Sequence, residues 1–444
     1  MVEKESLIFS IQSVSIGDRT IIENLNFVLN SGDIQLLKAP NGTGKSVLLS
    51  VLAGWDEDII SVKIDGEYIN GNQNINFQTD IKEYRHYARK KIGYLSHKLV
   101  EESLGVKFGE EIDFILKKYK TIPDVIRNSI EYLKENNNDD LLVEKISKGH
   151  RQIMALIDVF SDYENYDLIL LDEPTSYLND DNFECFIQQI KFIAQTSNCA
   201  FLIASNDIRL LNRDFSQLVL IDQKRKKEDF NLLQAPELNL YSISIKIKGY
   251  PLGYSGRLPF YFDEEIKENE SVIIVGKNGC GKSTFLNVCT GLMRIKGLVE
   301  HYCGNQKIKA RKLFPNYLSL LFQEPRNYEF RNTADEILCL YEKDKSYFKE
   351  LYEGILSHYS IPQNQNPKTL SSGQLRILWL ISMLGWAGRW ILDEPDASLD
   401  EKSLDLFFKL MNNHLANNGT VIIVTHNKEL YQKYNFRTIK LEKT

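Results

Sequence analysis

Apolar and polar positions along the chain fall into short patterned runs, and the series of runs is written twice. Ile243, Ile245 and Ile247 are separated by polar residues, the period-two spacing of a strand with one buried face. Such segments open each half and predict an antiparallel β layer at its start. Continuous apolar runs follow at 34–37 and 272–275, each leading into a glycine-rich loop, and helical patterns begin after the loops at 47–52 and 285–288. The runs 168–171 and 390–392 have the character of parallel strands buried on both faces, and 421–425 is a further strand. Residues 108–134 and 334–359 predict inserted, largely helical regions that differ between the halves.

The loops make the repetition explicit. Ala39-Pro40-Asn41-Gly42-Thr43-Gly44-Lys45-Ser46 is echoed by Gly276-Lys277-Asn278-Gly279-Cys280-Gly281-Lys282-Ser283-Thr284, and each copy is followed by its own Asp-Glu-Pro, beginning at Asp172 and Asp393. A charged, turn-rich stretch at 223–229 follows the strand-like 218–221, and the second copy starts near Leu238. Two domains are expected, 1–229 and 230–444.

Composition narrows the class. With 444 residues and 43% hydrophobic content, each half can build its own core. A net charge of −6, with 26% charged residues of mixed sign, supplies no overall basic field, so no nucleic-acid partner is expected. The basic run 224–227 is flanked by acids and reads as a solvated linker. Six cysteines without CxxC pairs or nearby histidines at metal spacing fit a reduced, cytoplasmic compartment. The polar amino terminus makes no secretory signal, and the longest apolar stretch, 377–388, is about half of the roughly 20 residues a spanning helix needs. The chain is therefore expected not to cross a membrane by itself.

Closely spaced glycines let backbone N–H groups face phosphate oxygens, while the lysine reaches the β and γ phosphates and the hydroxyl holds Mg²⁺. This makes Asn41, Gly42, Gly44, Lys45 and Ser46 candidates for ATP binding in the first half. Their counterparts are Asn278, Gly279, Cys280, Gly281, Lys282, Ser283 and Thr284. The second loop matches G-x-x-x-x-G-K-[ST] in full; in the first, Ala39 replaces the opening glycine, which binding tolerates if φ is negative there. The apolar strands deliver Asp172 and Asp393 towards a metal, and Glu173 and Glu394 towards an attacking water. Cys280 at a helix start has two open readings, a thiol of lowered pKa or a small residue beside phosphate. His86, His301 and His414 are expected at the surface.

Leu370-Ser371-Ser372-Gly373-Gln374, placed shortly before Asp393, resembles the signature of ATP-binding cassette (ABC) ATPases. Ile146-Ser147-Lys148-Gly149-His150-Arg151-Gln152 is similar to its Ser-Lys-Gly-x-Arg-Gln variant. Ser176-Tyr177-Leu178-Asn179 and Ala397-Ser398-Leu399-Asp400 resemble D-loops, His426 the switch histidine and Gln323 the Q-loop glutamine. The resemblance covers nearly the whole chain. It implies an α/β protein of two tandem P-loop NTPase domains, each with a mixed β-sheet core, an N-terminal antiparallel β layer and an inserted helical subdomain. It also implies that the cassettes close head to tail, so that Ser147 and Gly149, or Ser371 and Gly373, meet the ATP held by the other cassette. Mg²⁺ would be held by Ser46 and Asp172 in one site and by Ser283, Gln323 and Asp393 in the other.

The resemblance divides these residues into two unequal sites. The first pairs Lys45, Ser46, Asp172 and Glu173 with Ser371 and Gly373, with His97 at the Q-loop position and Asn206 at the switch position. The second pairs Lys282, Ser283, Gln323, Asp393, Glu394 and His426 with Ser147 and Gly149. Asn206 cannot carry the proton that an imidazole can. The second site is expected to hydrolyse ATP and the first mainly to bind it, with Glu173 retaining some turnover. For the adenine-stacking aromatic, Tyr254 or Tyr250 stands in the second half and Ile16 at the matching place in the first.

The expected role is the ATPase of an ABC transporter, peripheral on the cytoplasmic face of a membrane, with separate transmembrane subunits docking near the Q-loops and helical regions. Trp390-Ile391-Leu392-Asp393-Glu394-Pro395 and Tyr94-Leu95-Ser96-His97 resemble haem exporter ATPases, whereas Leu321-Phe322-Gln323-Glu324-Pro325 is similar to vitamin and metal importers. Export is favoured. The alternatives are a soluble ABC ATPase acting on ribosomes or nucleic acid, and a slow nucleotide-dependent regulator.

Overall fold

The strand that feeds each glycine loop lies inside a five-stranded sheet, and the two sheets have the same order. In the first, Ile92–Leu95, Leu168–Asp172, Ala200–Ala204, Ile34–Lys38 and Ser216–Val219 lie side by side, all parallel. In the second the order is Leu318–Leu321, Arg389–Asp393, Thr420–Val424, Val272–Val275 and Arg437–Lys440, again all parallel. The computed structural model describes all residues except 1–5, 18, 40–42, 56–61, 72, 97–105, 120–121, 198, 220–239, 241, 254–255, 259, 277–279, 315, 323–333, 339–344, 360, 362, 365, 368–369, 371, 384–386, 398, 426 and 442–444. Two units divide the chain, Met1–Gln223 and Lys224–Thr444. The boundary expected after residue 229 falls in 220–239, outside the described residues.

Antiparallel pairing is confined to separate sheets. Arg19–Asn30, Ser6–Ile16, Val62–Asn70 and Gln73–Asn76 form one in that order. In the second unit, Ser244–Gly253 is the hub, pairing with Gly256–Arg257, Ile295–Cys303 and Phe262–Ile266. The alternating Ile243, Ile245 and Ile247 are all buried there.

The strands Leu168–Asp172 and Arg389–Asp393 are buried on both faces because their residues feed two hydrophobic clusters. Leu168 and Leu170 face the antiparallel layer and the helix Lys45–Leu52, while Ile169 and Leu171 face the helical region. Trp390 and Leu392 likewise point away from Ile391. That is why these runs carry no polar alternation.

The inserted regions are helical. In the first unit they are Phe108–Lys118 and Asp124–Asn136, separated where Tyr119 turns extended and Pro123 disfavours helix in the residue before it. In the second they are Ala334–Leu338 and Lys345–His358. Among the described residues no helix is long and apolar enough to cross a membrane.

Two histidines expected at the surface are buried. His301 Nε2 lies 2.7 Å from the Cys289 carbonyl, and its strand carries no clear polar alternation that would have revealed an inner face. His414 stacks on Trp390, 4.1 Å between ring centres, with Nε2 3.1 Å from the Thr420 carbonyl. It continues the stripe Ser403, Leu406, Phe407, Leu410 and Met411, a helical spacing that pointed inward. His86 is exposed, as expected.

Candidate functional site

Both glycine loops end on a residue that only glycine fits. Gly44 and Gly281 cap the helices Lys45–Leu52 and Lys282–Cys289 with φ of 92° and 93°, the left-handed region. A Cβ on Gly44 would come within 2.3 Å of Ile21 Cγ2, and one on Gly281 within 3.1 Å of the Phe260 ring. The following backbone N–H groups, at a positive helix end, are therefore held open towards an anion.

The two lysines adopt one geometry. Lys45 Nζ donates to the Ala39 carbonyl at 2.7 Å, and Lys282 Nζ to the Gly276 carbonyl at 2.8 Å. Ala39 is buried and is not among the positive-φ residues, so the alanine sits there without strain. Gly276 has no such latitude: a Cβ there would lie 2.5 Å from Cys280 Sγ and 2.5 Å from the Leu441 carbonyl oxygen. Cys280 is buried, and burial raises its thiol pKa against the pull of Lys282. Asn41, Gly42, Asn278 and Gly279 lie outside the described residues.

Asp172 and Asp393 end the strands Leu168–Asp172 and Arg389–Asp393 and are buried. The next residues, Glu173 and Glu394, have φ of 49° and 51°, uncommon for a non-glycine residue and matched in both units. Their N–H groups donate to the carbonyls of Ala204 and Val424, both at 2.8 Å, which ties each glutamate to the neighbouring strand end. Burial pushes the Glu173 carboxyl up to about 7, with Asp172 adding to it and Lys45 and Ser205 opposing. Burial and Glu394 push Asp393 up to about 7 against Ser283, Lys282 and Arg376. Asp393 Oδ1 is buried with no hydrogen-bond partner among the described residues.

The segments after Ala200–Ala204 and Thr420–Val424 are anchored by different side chains. In the first unit Ser205 Oγ donates to Glu173 Oε2 at 3.0 Å. Arg209 there grips Asp207 at 2.7 Å and donates to the carbonyls of Leu178 at 3.1 Å and Thr175 at 3.3 Å. In the second unit Asp396 accepts from Thr425 Oγ1 at 2.9 Å, Asn427 Nδ2 at 2.9 Å and Tyr431 OH at 3.0 Å. Asn206 is half-buried between Ser205 and Asp207, whereas His426, between Thr425 and Asn427, lies outside the described residues, as do Gln323 and His97.

Ser147 caps the helix Lys148–Ser161, accepting from the His150 N–H at 3.2 Å. The His150 ring reaches Asn137 Oδ1 at 3.0 Å, and Lys148 Nζ lies 5.2 Å from the centre of the Tyr177 ring. Gly149 and Gly373 are buried, Gln374 donates to the Tyr359 carbonyl at 2.9 Å, and Ser371 lies outside the described residues. Tyr250 packs against Tyr261 with ring centres 4.9 Å apart and planes tilted by 58°; Tyr254 lies outside the described residues, and Ile16 ends the strand Ser6–Ile16.

Sequence reasoning missed Ser205, Asp207, Arg209, Arg376 and Asp396. Arg376 is buried and donates to the Glu394 carbonyl, a contact that spacing alone does not announce. Thr175 against Asp396, and Asp207 against Asn427, are two positions at which the two copies exchange an acid for a neutral residue. Comparison of the copies was the signal available.

Two parallel sheets of identical order, each with a phosphate loop, a buried acidic pair and an inserted helical region, define a tandem P-loop ATPase. Residues 22–176 and 262–397 match the ABC transporter family, and the chain belongs to it. It is 22% identical over 99% of its length to a Bacillus subtilis protein named "Putative HMP/thiamine import ATP-binding protein YkoD", covering 89% of that protein. Over 40% of its length it is 33% identical to the cytochrome c biogenesis ATP-binding export protein CcmA of Vibrio parahaemolyticus, covering 88% of it. Among solved structures it is similar to the archaeal ribosome recycling factor aABCE1 in complex with the ribosomal stalk protein aP1. That likeness has a TM-score of 0.59 and 18% identity, over 97% of this chain and 87% of that one. The chain is an ABC ATPase of two tandem cassettes.

Proposed function

We propose that this chain is the energising subunit of an ABC transporter, working at the cytoplasmic face of a membrane with transmembrane subunits supplied by other chains. The observation that carries the unequal pair of sites is the contact of Ser205 with Glu173 beside Asn206, against the Thr425–Asp396–Asn427 arrangement flanking position 426. In this reading Lys282, Ser283, Thr284, Cys280 and Gly281 hold ATP in the working site, Glu394 orients the attacking water, and His426 and Gln323 complete it. Ser147 and Gly149 approach the γ-phosphate from the other cassette. Lys45, Ser46, Gly44 and Glu173, with Ser371 and Gly373, form the second pocket, which retains ATP and turns over slowly.

The donor set fits a Mg²⁺ ion bound with its nucleotide. Asp393 Oδ1 is a buried carboxylate oxygen awaiting a partner, and few protein ligands are needed where phosphates and water complete the shell. Ser283, Asp393 and Gln323 would hold the ion in one cassette, and Ser46 and Asp172 in the other. Bound there it would neutralise charge on the phosphates.

Relatives named for import and for export both match, and export is the direction we favour from the Trp390 to Pro395 segment. The likeness to a ribosome recycling factor favours a second reading, action on ribosomes. Gentle detergent extraction of tagged protein tests the two. Co-purification of multispanning proteins supports transport; recovery of ribosomes in their place overturns it.

A further inference from the structure

Asp396 is a carboxylate of the second cassette to which the phosphate, metal and water roles above assign no part. Its two oxygens are used by three side chains, all from the stretch just after Thr420–Val424: Oδ1 by Thr425 at 2.9 Å and Tyr431 at 3.0 Å, Oδ2 by Asn427 at 2.9 Å. Thr425 is 2% exposed and Tyr431 0%, so two of these donors are anchored in the core. Thr425 and Asn427 are the residues on either side of His426.

We propose that Asp396 is a positioning residue for ATP hydrolysis: it holds Thr425 and Asn427, the two residues that flank His426 in the sequence. The proposal rests on the reading of the second site as the working one. A reacting group misplaced by about 1 Å can cost about a hundredfold, so residues that hold its neighbours bear on the rate. The first cassette places its acid on the other partner: Thr175 stands where Asp396 does, and Asp207 where Asn427 does, with Arg209 neutralising it.

The test uses the full chain with Mg²⁺ and ATP. Asp396→Asn sets two amides against each other at position 427, and kcat is expected to fall about tenfold or more while KM for ATP and Tm stay near the parent values. The double variant Asp396→Asn with Asn427→Asp restores a donor–acceptor pair at unchanged net charge and is expected to recover kcat to within about threefold. Unchanged kcat in Asp396→Asn, a common fall of kcat, ATP binding and Tm, or a double variant no better than the single one would each overturn the proposal. Glu394→Gln is the control: full activity in that variant sinks the assignment of the second site itself, whereas an inactive Glu394→Gln beside an unaffected Asp396→Asn sinks only the positioning role.

Discussion

Ser205 gives its hydroxyl to Glu173 Oε2 at 3.0 Å, while the hydroxyl at the matching place in the second cassette, on Thr425, goes to Asp396 Oδ1 at 2.9 Å. A carboxylate that already accepts a hydrogen bond is a weaker base for an attacking water, because that bond must be given up or shared as the proton arrives. Position 206 is asparagine rather than histidine, so the first cassette has no imidazole there to serve the reaction. Glu394→Gln is therefore expected to remove about 99% or more of steady-state phosphate release, and Glu173→Gln less than about two thirds of it. Equal losses would sink the unequal pair.

The opening residues of the loops are not interchangeable. A methyl group on Gly276 would meet Cys280 Sγ and the Leu441 carbonyl oxygen, both at 2.5 Å, and the latter is backbone that cannot swing away. Gly276→Ala is expected to weaken ATP binding about tenfold or more, and Ala39→Gly to change it less than about twofold, read by nucleotide titration. Comparable effects would mean that the second loop relaxes as the first does.

His414 makes the second cassette sensitive to acid. Burial against Trp390 lowers its pKa from 6.5 to about 4, with the Thr420 carbonyl opposing and Arg389 adding to the fall. The unfolded chain therefore takes up a proton at a pH where the folded one does not, so the stability held above about pH 6.5 is lost as pH falls towards 4. The loss approaches about 3 kcal/mol. His414→Phe keeps a ring on Trp390 and is expected to flatten Tm between pH 7 and pH 4.5 relative to the parent; parallel curves would refute it.

How much of this could be read from the sequence depends on whether a residue's partner is local. Lys282, Ser283 and Asp393 announce themselves because loop, helix and strand follow one another within a fixed spacing, and the strands around them are uninterrupted apolar runs. Arg389 did not: it stands in a buried strand where the first copy has Leu168, and its meaning lies more than a hundred residues away in the carbonyls of Lys267, Glu268 and Glu270. His414 was legible by helical spacing, but a histidine inside a stripe is read as polar unless the stripe is counted. Asp396 and Asp207 became meaningful only when the two copies were compared position by position.

Arg389 gives that long reach a measurable size. Its guanidinium donates to Glu270 O at 2.9 Å, Lys267 O at 2.6 Å, Glu268 O at 2.7 Å and Ser242 Oγ at 3.1 Å, and burial lowers its pKa to about 10. Arg389→Met leaves those part-buried acceptors without their donor, at about 1–3 kcal/mol. Chemical denaturation should show that loss, and a change below about 1 kcal/mol would mean that water replaces the guanidinium.

The fork of Arg209 is the first cassette's counterpart to Asp396. It holds Asp207, spans the carbonyls of Thr175 and Leu178, and stacks 4.4 Å over Phe183, so one side chain fastens the segment around Asn206 to the continuation of Asp-Glu-Pro. Lysine keeps the charge but cannot reach both carbonyls and the carboxylate at once. Arg209→Lys is therefore expected to cost about 1–2 kcal/mol, and Arg209→Ala more, since it also strands a largely buried Asp207 carboxylate. Hydrogen exchange separates a local latch from a general packing residue. Amides of 205–211 should exchange about tenfold or more faster in Arg209→Lys while those of Leu168–Asp172 stay protected, and uniform acceleration across both stretches would assign Arg209 to the core instead.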